Sequence, residues 1–244
     1  WSSDVCSSDL EDDGQELSDL LFSSNGNLLV YVRGGAANRY GQNPNPASMV
    51  EGAEQAIWCI ATTPGSEPFR LANGSNPILV GNNKIVFSRG GQLFTIALEK
   101  NSLPEPLFSA RGSNGSQSLS PDGSRILFVS DRGDHAFIGV YHLTNKKIQW
   151  IAPDIGNDAF PVWSPDGKKI GFLRMPGTRV DELPDLTGGV KFSVWVADAT
   201  LGKASSIWDS PADDGGFAQY YSSTPLSWSK SNRILFFSEH EGWN

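Results

Sequence analysis

One tight corner, WSPDGKKIGF at Trp163–Phe172, limits this chain more than any other feature, because worn copies of it return along the sequence. Pro165 presets the first turn dihedral, Asp166 can bond back to the local backbone, and Gly167 accepts a positive φ. The chain therefore reverses within a few residues and enters the strand KKIGFLR. The same logic recurs in LSPDGSRILFVS (Leu119–Ser130), FSSNGNLLVYV (Phe22–Val32), LVGNNKIVFS (Leu79–Ser88) and WSKSNRILFFS (Trp228–Ser238). With Ser23, Val80, Ser120, Ser164 and Ser229 as equivalent positions, the steps are 57, 40, 44 and 65 residues. They bracket the roughly 40 to 50 residues of one propeller blade. The two long steps carry insertions.

A second element keeps the same period. An aromatic-bearing strand follows the corner at AIWCIAT (Trp58), QLFTIAL (Phe94), GVYHLTN (Tyr141) and SVWVADA (Trp195). A turn and a further short strand come next, in EPFRLA, EPLFSA, KIQWIA and SSIWDS. Strands such as RILFVS are apolar at successive positions, so both of their faces must be covered. An open sandwich would bury strands too, but it would not impose one period on corner and aromatic together. The expectation is an all-β chain: a β-propeller of four-stranded antiparallel blades, in an incomplete arc of about four blades plus the start of a fifth. The blades are placed at about residues 17–74, 75–113, 114–156 and 157–223, with the next beginning at 224–244. Residues 1–16 read as a leader whose first ten, WSSDVCSSDL, resemble a translated sequencing adapter and are left out of the fold reading.

Charge and composition narrow the function. Against 27 acidic residues stand 19 basic ones, a net charge of -8 with no Lys/Arg cluster, which argues against nucleic acid as a partner. No apolar run approaches the roughly 18 residues that would span a bilayer. Setting aside Cys6 in the leader, only Cys59 remains, flanked by apolar residues and read as a buried thiol, so no disulfide framework or cysteine metal site is expected. The GKK and GKA triplets lack phosphate-loop glycines, HEGWN does not complete a zinc motif, and DLEDDGQ has Leu20 where a calcium loop needs glutamate. No cofactor or metal is implied.

WSPDGKKIGFLR followed by VWVADATLGKASSIW resembles the WD40-like repeat shared by TolB-type proteins and by the propeller of prolyl oligopeptidase family serine peptidases, the dipeptidyl peptidase IV and acylaminoacyl peptidase groups among them. From Gly171 onward the insertion, the VWVADATLGKA strand and the closing ILFFSEHEGWN are similar to bacterial peptidases of that family. The resemblance implies seven or eight blades in the whole protein, so the chain reads as part of a longer one. It also implies a nucleophile on a separate α/β-hydrolase domain, in a G-x-S-x-G elbow. No glycine here is followed two residues later by serine, and His135, His142 and His240 have no nucleophile partner in the sequence, so no catalytic residue is assigned. The Glu-Glu motif with which dipeptidyl members grip a free amine is absent: the approach IGNDAFPVWSPDG offers only Asp158.

Two insertions are the candidate functional segments. Gly34–Glu54, rich in Gly, Asn and Pro, reads as a mobile excursion or a flap at a channel mouth. Met175–Gly189 carries Arg179, Asp181 and Glu182, which are the substrate-binding candidates for a peptide terminus, set against their reading as ordinary solvated loop content. The RGD tripeptide at Arg132–Asp134 reads as a hairpin turn. The expected role is a non-catalytic propeller region that gates short peptides for a missing hydrolase domain and is inactive alone. The alternative is a TolB-like module that binds protein partners. No compartment is marked.

Overall fold

The structure is a computed structural model that describes residues 14–177, 191–211 and 225–238. The adapter-like leader, except Gly14–Glu16, lies outside the described residues. Every regular element among the described residues is a strand, and no described helix is long and apolar enough to cross a membrane. The first sheet runs in the order β1 (Leu17–Phe22), β2 (Leu28–Arg33), β3 (Ala56–Ala61) and β4 (Phe69–Asn73). The second is β5 (Ser75–Val80), β6 (Lys84–Arg89), β7 (Gln92–Ala97) and β8 (Glu105–Pro106). The third comprises β9 (Ser113–Leu119), β10 (Arg125–Asp131), β11 (Ala136–His142) and β12 (Lys147–Ile151), and the fourth β13 (Asn157–Trp163), β14 (Lys169–Met175), β15 (Ser193–Asp198) and β16 (Ala204–Asp209). A hairpin of β17 (Leu226–Trp228) and β18 (Ile234–Phe236) follows. Successive strands within each sheet pair antiparallel, and one parallel bridge, Ala136 to Asn157, links the third sheet to the fourth.

The chain divides into two compact units, residues 1–89 with 94–107, and residues 90–93 with 108–244. In the first, Val30, Val32, Ile57 and Cys59 gather with Ile85, Phe87 and Ile96 of the second sheet. In the second, Leu127, Ile138, Val140 and Ile151 meet Ile170, Phe172 and Ala197 of the fourth sheet. A further cluster joins Leu173, Phe192 and Val194 to Leu226, with the Trp208 and Phe236 rings tilted against each other at 4.9 Å between centroids. Apolar runs on β2, β6, β10 and β14 thus have cover on both faces. Phe87, Phe128 and Phe172 are fully buried, each side chain contributing about 1.5–3 kcal/mol of transfer free energy.

Three of the corners are held by a serine hydroxyl. Ser164 Oγ donates to Asp166 Oδ1 at 2.7 Å and accepts the Lys169 N–H at 2.9 Å, while Asp166 Oδ1 also accepts the Lys168 N–H. Ser120 with Asp122 and Ser23 with Asn25 repeat the pattern. All three serines are buried. Gly167 has φ +67°, and in the last corner Asn232 takes that place at φ +61°. Arg125 ties one corner to the next: Nη2 donates to Gly167 O at 2.8 Å, and the guanidinium lies 4.8 Å from the Trp163 ring.

Two features depart from a plain repeat. The first strand of every four-stranded sheet carries a bulge, with a non-glycine residue at positive φ four residues before the corner position: Asp19, Asn76, Ser116 and Phe160. Then there is the aromatic on the third strand. Trp58 pairs with Tyr31 and Trp195 with Phe172, whereas the corresponding partner of Phe128 is Gly139. Tyr141 stands two residues further along the same face. The expected edge strand EPLFSA is also shortened to Glu105–Pro106, since proline cannot donate to a ladder, and Phe108 turns instead onto Phe128 and Tyr141.

Candidate functional site

Across the fourth sheet the pairing aligns one polar row, Asp158 to Arg174, Arg174 to Ser193, and Ser193 to Asp209. Arg174 anchors it. Its Nε and Nη2 donate to the two Asp158 oxygens at 2.6 and 2.9 Å, Nη2 also reaches Ala152 O at 2.7 Å, and the guanidinium lies 4.5 Å from the Trp195 ring. Burial pushes the Asp158 carboxyl up, against the opposing pull of Arg174. With 1% exposure and both oxygens taken, Asp158 cannot receive a substrate amine.

The outer end of this row opens into a cavity of about 480 Å3, walled by Asp154, Ile155, Arg174, Lys191, Phe192 and Ser210, among others. A second cavity, of about 370 Å3, is lined by His135, Phe137, Pro153, Asp154 and Ile155. The two share Asp154 and Ile155, so the short loop Asp154–Gly156 separates a charged hollow from a mainly aromatic and apolar one. Ile155 is 84% exposed and forms the ridge between them.

Other sequence candidates separate clearly. Arg179, Asp181 and Glu182 lie outside the described residues, as does His240. His135 pairs with Asp134 at 2.6 Å and lies against Phe137, and His142 contacts Gln149, so neither meets a nucleophile. The RGD arginine is folded over the Phe137 and Trp150 rings, which suits a turn and not an extended ligand. The Gly34–Glu54 insertion is pinned by its own asparagines: Asn38 Oδ1 accepts the N–H of Tyr40 and of Gln42, Asn43 Nδ2 donates to Gly35 O, and Asn45 brackets Met49. Among the described residues no group of three or more His, Cys, Asp or Glu could hold a metal ion. The row and its two cavities were missed by sequence reasoning. Its one visible trace was Asp158, the single acid of the strand NDAFPVW.

No protein-family model matches the chain, and no curated protein matches it. Solved structures do. TolB from Acinetobacter baumannii superposes with a TM-score of 0.50 at 18% identity, over 83% of this chain and 46% of that one. An oligogalacturonate lyase in complex with manganese gives 0.60 at 14% identity, over 93% and 63%. The β-propeller domain of the trilobed protease from Pyrococcus furiosus gives 0.51 at 14% identity, over 80% and 57%. The chain spans less than two thirds of each of these structures. Together with the strand topology they show the fold, a β-propeller of four-stranded antiparallel blades, here four blades and a further hairpin.

Proposed function

We propose that this chain is the non-catalytic propeller region of a larger serine peptidase, where it gates short peptides and contributes part of their binding surface for a separate α/β-hydrolase domain. The observation that carries this is the pair of adjoining cavities astride the Asp154–Gly156 loop, one charged and one aromatic, which suits a polar main-chain end beside an apolar side chain. The repeat resemblance to prolyl oligopeptidase family propellers supports it. The absence of Glu-Glu and the occupied state of Asp158 direct the reading toward an oligopeptidase or acylaminoacyl peptidase and away from dipeptide release. A TolB-like interaction module is the second reading, favoured by the superposition on TolB.

Labelling of the full-length protein with a fluorophosphonate probe separates the two. A covalent adduct on a serine beyond Asn244 is expected for the peptidase. Full-length protein that takes no label overturns it.

A further inference from the structure

Two acids, Asp154 and Asp209, and two cations, Arg174 and Lys191, line the charged cavity. Asp154 Oδ1 accepts the Ile155 N–H at 2.7 Å and its Oδ2 faces Arg174 Nη1 at 3.4 Å, and Asp209 Oδ1 accepts the Ser206 hydroxyl at 3.0 Å. Some donor capacity facing it remains. Arg174 carries five N–H groups, of which the Nε one and both on Nη2 are matched by close acceptors, while Nη1 has only the long contact to Asp154. Lys191 is exposed and has no ion-pair partner among the described residues. Ser210 Oγ accepts the Phe192 N–H at 3.0 Å, and its own proton has no acceptor among the described residues. Three donors on three segments, β14, the approach to β15 and the exit of β16, therefore face one space.

We infer that this cavity holds the C-terminal carboxylate of a peptide, with the preceding side chain seated beyond Ile155 in the aromatic cavity. A carboxylate offers two oxygens with about four lone-pair directions, enough for Arg174 Nη1, Lys191 Nζ and Ser210 Oγ at once. Asp154 and Asp209 also line the cavity and disfavour a group with two negative charges, so a single carboxylate fits better than a phosphate. Past the ridge, His135, Phe137 and Pro153 give the next residue an aromatic and apolar wall. This rests on the peptide-binding reading above and adds a direction to it: the peptide enters this site by its C-terminal end.

The experiment uses the whole chain and a tetrapeptide ending Phe-Ala, tagged with fluorescein at its N-terminus, as free acid and as C-terminal amide, with binding followed by fluorescence anisotropy. The acid is expected to bind about tenfold more tightly than the amide. Lys191→Ala should weaken the acid about tenfold and leave the amide unchanged. Ile155→Ser should weaken both, and Lys203→Ala, an exposed lysine elsewhere on the fourth sheet, should change neither. All three side chains are exposed, so the variants keep the fold, which melting curves verify. Equal binding of acid and amide overturns the C-terminal assignment and leaves the peptide reading standing. An acid preference that Lys191→Ala does not alter overturns this location. Binding of neither peptide removes both readings.

Discussion

Arg174 grips Asp158 with two parallel charge-assisted bonds from neighbouring strands, and the two side chains are 10% and 1% exposed. Such a pair is weak support for stability as a unit and a strong liability when broken, because the survivor is a charge without water. Arg174→Met should cost about 3–5 kcal/mol in urea unfolding, and the double variant Arg174→Met, Asp158→Leu should recover most of it. Burial favours the protonated acid, and with Arg174 gone nothing opposes it. The deficit of the single variant should therefore shrink as the pH falls toward about 4.

Gly139 is held to glycine by space and not by its dihedral. A Cβ there would sit 2.4 Å from Phe128 Cζ, in a ring that also touches Phe108 and Trp150. Gly139→Ala should destabilise the chain by about 1–3 kcal/mol, as overpacking does. Adding Phe128→Leu should relieve the clash, so the double variant should lose less than the sum of the singles in thermal melts.

The corner serines make a prediction with a pH sign. Ser164→Ala removes a buried hydroxyl that both donates and accepts, and should cost about 1–2 kcal/mol. At Asp122 the Ser120 hydroxyl, followed by the bonds from Ser124, holds the carboxyl down at about 2. A depressed acid stabilises the fold above its unfolded value and loses that contribution as the pH falls toward the folded one. Wild type should therefore lose stability between the ordinary aspartate range and about pH 2, and Asp122→Asn should be flatter in that window, read as the urea midpoint against pH.

Cys59 lies at 0% exposure between Ile57 and Ile60 on β3, and burial pushes its thiol up to about 11. Iodoacetamide applied to the folded chain at neutral pH should leave it unmodified, with full alkylation after denaturation, both located by peptide mapping. Labelling of Cys59 in the native state would contradict its place in the core.

The legible parts of this molecule were those written by local backbone needs. Asp166, Gly167 and Pro165 announce a corner because only a few residues serve there, and RILFVS announces a two-sided strand because solvent would punish it. The bulges were not legible. Asp19, Asn76, Ser116 and Phe160 share a backbone conformation and no chemistry, and an aromatic at positive φ is a residue type that argues against the state it occupies. The Arg174–Asp158 pair lies 16 residues apart and depends on register, which a bulge had already shifted between Ala159 and Val162. Gly139 reads as a weak point in a strand until the Phe128 ring beside it is known. The first cavity gathers four segments that only pairing in space aligns, and the second joins His135 and Phe137 to Pro153–Ile155, so neither is written in one short run of sequence.

The left-handed kink in each first strand has a consequence for how such a protein can diversify. The ladder resumes on either side of each kink, and acid, amide, hydroxyl and aromatic all occupy it, Asp19 going on to accept the Asn76 N–H at the next such position. Each blade thus owns a position where a lineage can try new chemistry without renegotiating the sheet that carries it.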